Sequence, residues 1–195
     1  MARSRDEAKR NTILLTSKRL FASRGFFNTS ISDIVKETGF PVGTIYTYFQ
    51  HKENIIQIIV EEGWEEFYIN IKQIADSDLT SIDKLRIIVE KILPELLLDV
   101  DLINILLTEA LQYTSIESKI DKLTDIIFSI IKGIPGSSQT ILFMPKTFLR
   151  TSIIVFFLGI LQTAKLSKTK EMGITHKDIV KFTKSVISQS MGVKL

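Results

Sequence analysis

Large apolar residues return along this chain every three or four positions, and no stretch alternates convincingly between apolar and polar. Three-to-four spacing lines side chains along one face of an α-helix, whereas a half-buried strand needs a period of two. The fold class is therefore all-α. About nine helices are expected, near residues 5–24, 31–38, 41–49, 52–74, 82–98, 102–113, 116–132, 146–166 and 176–191.

The punctuation between the first three helices narrows the architecture. Gly25 supplies a stop for the first helix. Thr29 or Ser30 can cap the second, with Asp33 three residues past Ser30 as an acidic form of the capping box. Gly39 ends the second helix after two turns, and Pro41 suits the first turn of a third because its missing N–H costs nothing there. Three helices, the last two short and joined by a Gly-containing turn, make a helix-turn-helix unit. The clearest loop elsewhere is the Gly/Pro/Ser-rich stretch at 133–140.

Charge separates the front of the chain from the rest. Residues 1–52 hold nine Lys/Arg against four Asp/Glu, and the remainder holds 16 basic and 18 acidic groups. A basic first quarter on a nearly neutral body points to a polyanion-binding module at the N-terminus. The absence of Cys excludes disulfides and thiolate metal sites. The charged start lacks a signal-peptide core, so a cytoplasmic location is expected. The longest apolar run, residues 153–161, has nine residues. A membrane span needs ~20, so a buried helix and no membrane association are expected there.

The stretch TGFPVGTIYTYFQHK, residues 38–52, places two tyrosines and two phenylalanines among two glycines and a proline. On a helix, Val42, Ile45 and Phe49 fall inward against Leu20, Phe21, Ile34 and Val35. Pro41, Thr44, Thr47 and Tyr48 point outward, with Gly43 and Tyr46 at the border. Small residues beside hydroxyl-bearing rings suit a helix in a DNA major groove. There Gly43 allows close approach, Thr44 reaches a base edge, and Tyr46 and Tyr48 donate to phosphate oxygens. Lys52 adds a charge at the start of the next helix, and His51 fits a phosphate contact or a plain turn role.

Residues 13–56, with their LF…GF…TS run, I…TG second helix and GTIYTYF…K third helix, resemble the DNA-binding domain of TetR-family transcriptional regulators. The resemblance implies a helix-turn-helix domain at 1–51 and a helical effector-binding and dimerisation domain at 52–195. It implies that Thr29 and Ser30 approach phosphate, that Val42, Gly43, Thr44 and Thr47 face bases, and that Tyr46, Tyr48 and Lys52 hold the backbone. Where the family often carries Ser-Lys before the glycine, this chain has Pro41-Val42, which favours apolar contact with thymine methyls over a charged contact. The expected partners are a palindromic double-stranded operator, a second copy of the chain and a small-molecule effector.

The helix at 146–166 is apolar around nearly its whole circumference and must be covered on both sides. The last helix, through Ile179, Phe182, Val186 and Ile187, and a second subunit are the expected covers, with Gly159 permitting close approach. The resemblance implies a homodimer paired through the last two helices as a four-helix bundle. It also implies a ligand cavity, for which Trp64, Phe67, Tyr68, Tyr113, Phe148 and Phe156 are candidate lining residues and Glu109 and Gln112 candidate polar anchors. Glu109 has either a cationic ligand or a structural partner such as Arg150. A large apolar molecule suits this lining better than a sugar. In the expected mechanism, ligand between the fourth helix and the bundle swings that helix and separates the two reading heads.

No HExxH, GxSxG, P-loop or dinucleotide motif is present, and His51 and His176 stand far apart in sequence. Enzymatic activity, a metal site and a bound cofactor are not expected. The alternative reading is a constitutive DNA-binding regulator with a filled core and no effector.

Overall fold

The computed structural model describes residues 2–108, 115–135, 145–168 and 172–195. The candidates Glu109, Gln112 and Tyr113 lie outside the described residues. Among those described there is no strand, and nine helices follow in order. They are α1 (Ala2–Arg24), α2 (Ile31–Thr38), α3 (Val42–Tyr48), α4 (Lys52–Ala75), α5 (residues 81–98), α6 (Val100–Thr108), α7 (Ile116–Lys132), α8 (Lys146–Ser167) and α9 (His176–Met191).

Two compact units result. The first comprises Met1–Gly63 with Asp101–Thr114, and the second Trp64–Val100 with Ser115–Leu195. The first unit thus takes in the opening half of α4 and the segment containing α6, beyond residue 51. Its core is built from Ile13, Leu20, Phe21, Phe26, Ile34, Ile45, Phe49, Ile55 and Ile56, all nearly or fully buried. Leu102 of α6 closes over α4 at Gly63, where an added Cβ would come within 2.6 Å of the leucine side chain.

Local chemistry explains the short elements. Ser30 caps α2: Asp33 N–H donates to its hydroxyl at 3.1 Å, and Ser30 N–H donates back to the Asp33 carboxylate at 2.8 Å. The Ser30 hydroxyl and then its backbone N–H hold the Asp33 carboxyl below the usual carboxylate range. Gly39 ends α2 at φ +70°, in the left-handed region that glycine enters without strain. Pro41 stands one residue outside α3, as its N-cap. In the last helix Thr175 and Asp178 repeat the reciprocal cap.

Residues 81–98 form one helix, as expected, with a feature that the spacing does not announce. Ser81–Ile87 is α-helical, Ile88–Ile92 is a π-helical turn, and Leu93–Leu98 is α-helical again. Across the π turn the Leu93 N–H reaches back five residues to the Ile88 carbonyl. Pro94 accounts for it. A proline within a helix has no N–H and its ring collides with the carbonyl four residues back, and a widened turn relieves both problems.

Within a single chain residues 153–161 are buried only in part. α8 buries Ile160, Leu161 and Ala164, and it leaves Phe148, Val155, Leu158 and Leu166 exposed along one stripe. By length and composition α8 is apolar enough to cross a membrane.

Candidate functional site

The first candidate surface is α3 in the first unit. Ile45 is 0% exposed and Phe49 1%, so this face anchors the helix in the core as expected. Val42 corrects the sequence-based inward placement: it is 52% exposed, as is Tyr46 one turn further on. Gly43 and Thr47 are exposed beside them, while Thr44 and Tyr48 are half-buried on the flanks. Nothing lies within 4 Å of where a Cβ on Gly43 would sit. The Thr47 hydroxyl donates to the Gly43 carbonyl at 2.9 Å. Val42, Gly43, Tyr46 and Thr47 therefore form one outward surface at i, i+1, i+4 and i+5.

Two expected phosphate ligands are engaged inside the protein. Thr29 is 1% exposed, and its hydroxyl donates to the Gly25 carbonyl at 2.9 Å. It ties the turn after α1 and offers no side-chain donor outward. The Lys52 ammonium donates to the Phe26 and Thr29 carbonyls, each at 2.7 Å, and sits 4.2 Å from the centre of the Phe26 ring. Lys52 thus clamps the α1–α2 turn from the start of α4. His51 takes the turn role: Asn54 N–H donates to its Nδ1 at 3.0 Å, capping α4. Ser30 remains exposed at the head of α2.

Three of the front segment's cations are held in ion pairs. Arg10 pairs with Glu62 and Arg19 with Glu37, while Arg24 lies 3.6 Å from Asp33. Lys36, exposed in the last turn of α2, is a cation at this surface that the sequence reading did not single out.

The second candidate site is a cavity of about 330 Å³ within the second unit. Five helices wall it: α4 through Phe67 and Ile71, α5 through Leu85, Ile88, Val89 and Leu93, α7 through Leu123, Ile127 and Ile131, α8 through Leu149, Ile153, Phe156, Phe157 and Ile160, and α9 through Val186, Ile187 and Met191. Ser152, Thr183 and Ser190 complete the lining. Each of these hydroxyls donates to the carbonyl four residues back on its own helix, at 2.9, 2.8 and 2.7 Å. No ionisable group lines the cavity among the described residues. The π turn of α5 supplies Ile88 and Val89 to the wall side by side.

Of the sequence candidates, Phe67 and Phe156 line this cavity. Trp64 and Tyr68 stack on each other at 5.9 Å, with Lys122 over the Tyr68 ring at 5.5 Å, and stand outside the lining. Phe148 is 57% exposed and also outside it. Arg150 pairs with Asp121 at 3.3 Å. The aliphatic wall residues were missed because each looks like ordinary core by its spacing.

The capped α2, the glycine turn and the short α3 define a helix-turn-helix unit. Residues 13–59 match the family described as "Bacterial regulatory proteins, tetR family". The match covers the helix-turn-helix domain, and the chain is similar there to TetR-family regulators. It is 33% identical over 89 residues to the HTH-type transcriptional regulator YuxN of Bacillus subtilis, covering 44% of this chain and 31% of YuxN. The chain spans less than half the length of the curated relatives it matches. A TetR-family transcriptional regulator from Syntrophomonas wolfei superposes with a TM-score of 0.73 at 20% identity, over 97% of this chain and 98% of that one. The transcriptional regulator FadR from Bacillus subtilis, solved in complex with stearoyl-CoA, gives 0.71 at 21% identity, over 92% and 96%.

Proposed function

We propose that the protein is a DNA-binding transcriptional repressor that grips a palindromic operator as a homodimer and is released by a small, largely apolar ligand. The cavity carries this reading against a constitutive regulator with a filled core. A cavity with an apolar lining of this kind favours a hydrocarbon guest over a polar one. Its size corresponds to on the order of ten water-sized groups. The stearoyl chain named with FadR is a guest of that chemistry.

Two surfaces supply the remaining parts. α3 turns Val42, Gly43, Tyr46 and Thr47 outward for the bases, with Thr44, Tyr48 and Ser30 flanking them. The α8 stripe of Phe148, Val155, Leu158 and Leu166, with Phe182 of α9 exposed at 61%, offers an apolar face to a second copy. Gly159 on α8 has nothing within 4 Å of an added Cβ, which leaves room for a partner helix. A two-fold dimer presents two reading helices to successive half-sites. Such a protein works on DNA in the cytoplasm.

The test is thermal melting and operator binding with and without stearoyl-CoA, palmitoyl-CoA and palmitate. Ligand that binds only the folded state raises the melting temperature. Typical coupling then weakens operator affinity by about 5–150-fold. A protein that binds its operator, yet neither melts higher nor lets go with any hydrocarbon-bearing probe, is the constitutive regulator.

A further inference from the structure

We propose that α3 reads A·T pairs through the thymine C5-methyl group, with Val42 and Thr47 setting that preference. The inference rests on α3 being the base-reading helix and deepens that reading. In the major groove guanine is recognised by Arg or Lys, adenine by Asn or Gln, cytosine by Asp or Glu, and thymine by apolar contact with its methyl group. α3 is Val-Gly-Thr-Ile-Tyr-Thr-Tyr and holds none of the first three sets. Of the seven, Ile45 is sealed in the core and the outward surface is Val42, Gly43, Tyr46 and Thr47.

The chemistry of that surface is methyl-rich. Val42, whose side chain is two γ-methyls on a β-carbon, is 52% exposed. The Thr47 hydroxyl proton is held by the Gly43 carbonyl at 2.9 Å on an exposed residue, so the side chain has no proton to donate to a base and its γ-methyl is its apolar contact group. Between the two lies Gly43, a bare stretch of backbone with open space above it. A base methyl can settle on the backbone there and touch methyl groups on both sides.

Three neighbouring cations are engaged within the protein, and the exposed Lys36 stands on α2, not on the base-reading helix. The Lys52 ammonium is drawn away to the Phe26 and Thr29 carbonyls, and Arg19 and Arg24 face Glu37 and Asp33.

The experiment begins by selecting bound sites from random DNA. Each thymine of the selected site is then replaced by deoxyuridine, which removes only the methyl group, and affinity is read by fluorescence anisotropy at fixed salt. At one or two thymines per half-site the replacement should weaken binding about fourfold, the value of one buried methyl-sized group. Val42→Ala should weaken binding to the thymine site and abolish the penalty for uracil at its position. Thr47→Ser, which keeps the hydroxyl and removes the methyl, should weaken binding to the thymine site and abolish the penalty for uracil at its position. A C·G pair placed at such a position should bind better when its cytosine is 5-methylated. Selective binding that ignores uracil at every position, or a half-site whose required bases are guanines, overturns the methyl readout alone. Absence of any sequence-selective binding refutes the base-reading role of α3 and the inference with it.

Discussion

Lys52→Met is the substitution that separates a clamp from a phosphate ligand. It keeps the alkyl stem and removes only the ammonium, which donates to the Phe26 and Thr29 carbonyls at 2.7 Å each. A hydrogen bond from a charged donor contributes about 1.5–3 kcal/mol. Both bonds are part-buried, so the low end of that range applies to each, for a loss of about 3 kcal/mol. A chain of this length melts about 2–4 °C lower per kcal/mol, so the midpoint should fall by about 6–12 °C. The companion assay is operator affinity against salt. Each phosphate contact adds about 0.9 to the slope of log affinity on log salt. Lys52→Met should leave that slope unchanged once the protein is folded. An unaltered melt combined with a slope reduced by about 1.8 for the two half-sites would refute the clamp and restore the phosphate contact.

Gly43→Ala meets no atoms within 4 Å, and alanine is the better helix former. It should melt no lower than wild type while binding the operator at least about tenfold more weakly, because the new Cβ stands between backbone and base. Equal operator affinity would show that the backbone makes no such approach. The cap hydroxyls of Ser30, Thr80 and Thr175 hold the carboxyls of Asp33, Asp83 and Asp178 below the usual range. A depressed folded-state pKa adds stability that is fully present above the unfolded value of ~3.9 and is lost as pH falls through the folded one. Asp178→Asn should therefore lower the melting temperature by a constant amount from pH 7 to about pH 4, and by less below it. A difference that does not change with pH would contradict the carboxylate's part in the cap.

The first unit was more legible than the second because its elements are set by local chemistry. Ser30, Asp33, Gly39 and Pro41 each act within a few residues of their own position, so their spacing alone locates α2 and α3. Lys52 was misread because its partners lie 26 and 23 residues back in the chain, at carbonyls that no side-chain pattern marks. The cavity posed a different difficulty. Aromatic residues are the conspicuous candidates in the sequence, yet Trp64 and Tyr68 stack on each other and Phe148 is exposed. Most of the wall is Ile, Leu and Val from five helices, identical in spacing to filled core. The π turn escaped notice for a related reason: Pro94 marks a disturbance in a helix, but the disturbance appears in the turn before it.

Every hydroxyl described in the cavity wall is already satisfied by its own helix, and this governs what kind of selectivity the chamber can have. Among the described lining residues a guest finds no charge and no free hydroxyl proton, only hydroxyl oxygens that can accept, so hydrocarbons of similar girth should exchange for one another with little preference for where a double bond or branch lies. Discrimination falls to length and thickness, set by how far Phe67, Phe156 and Phe157 stand apart.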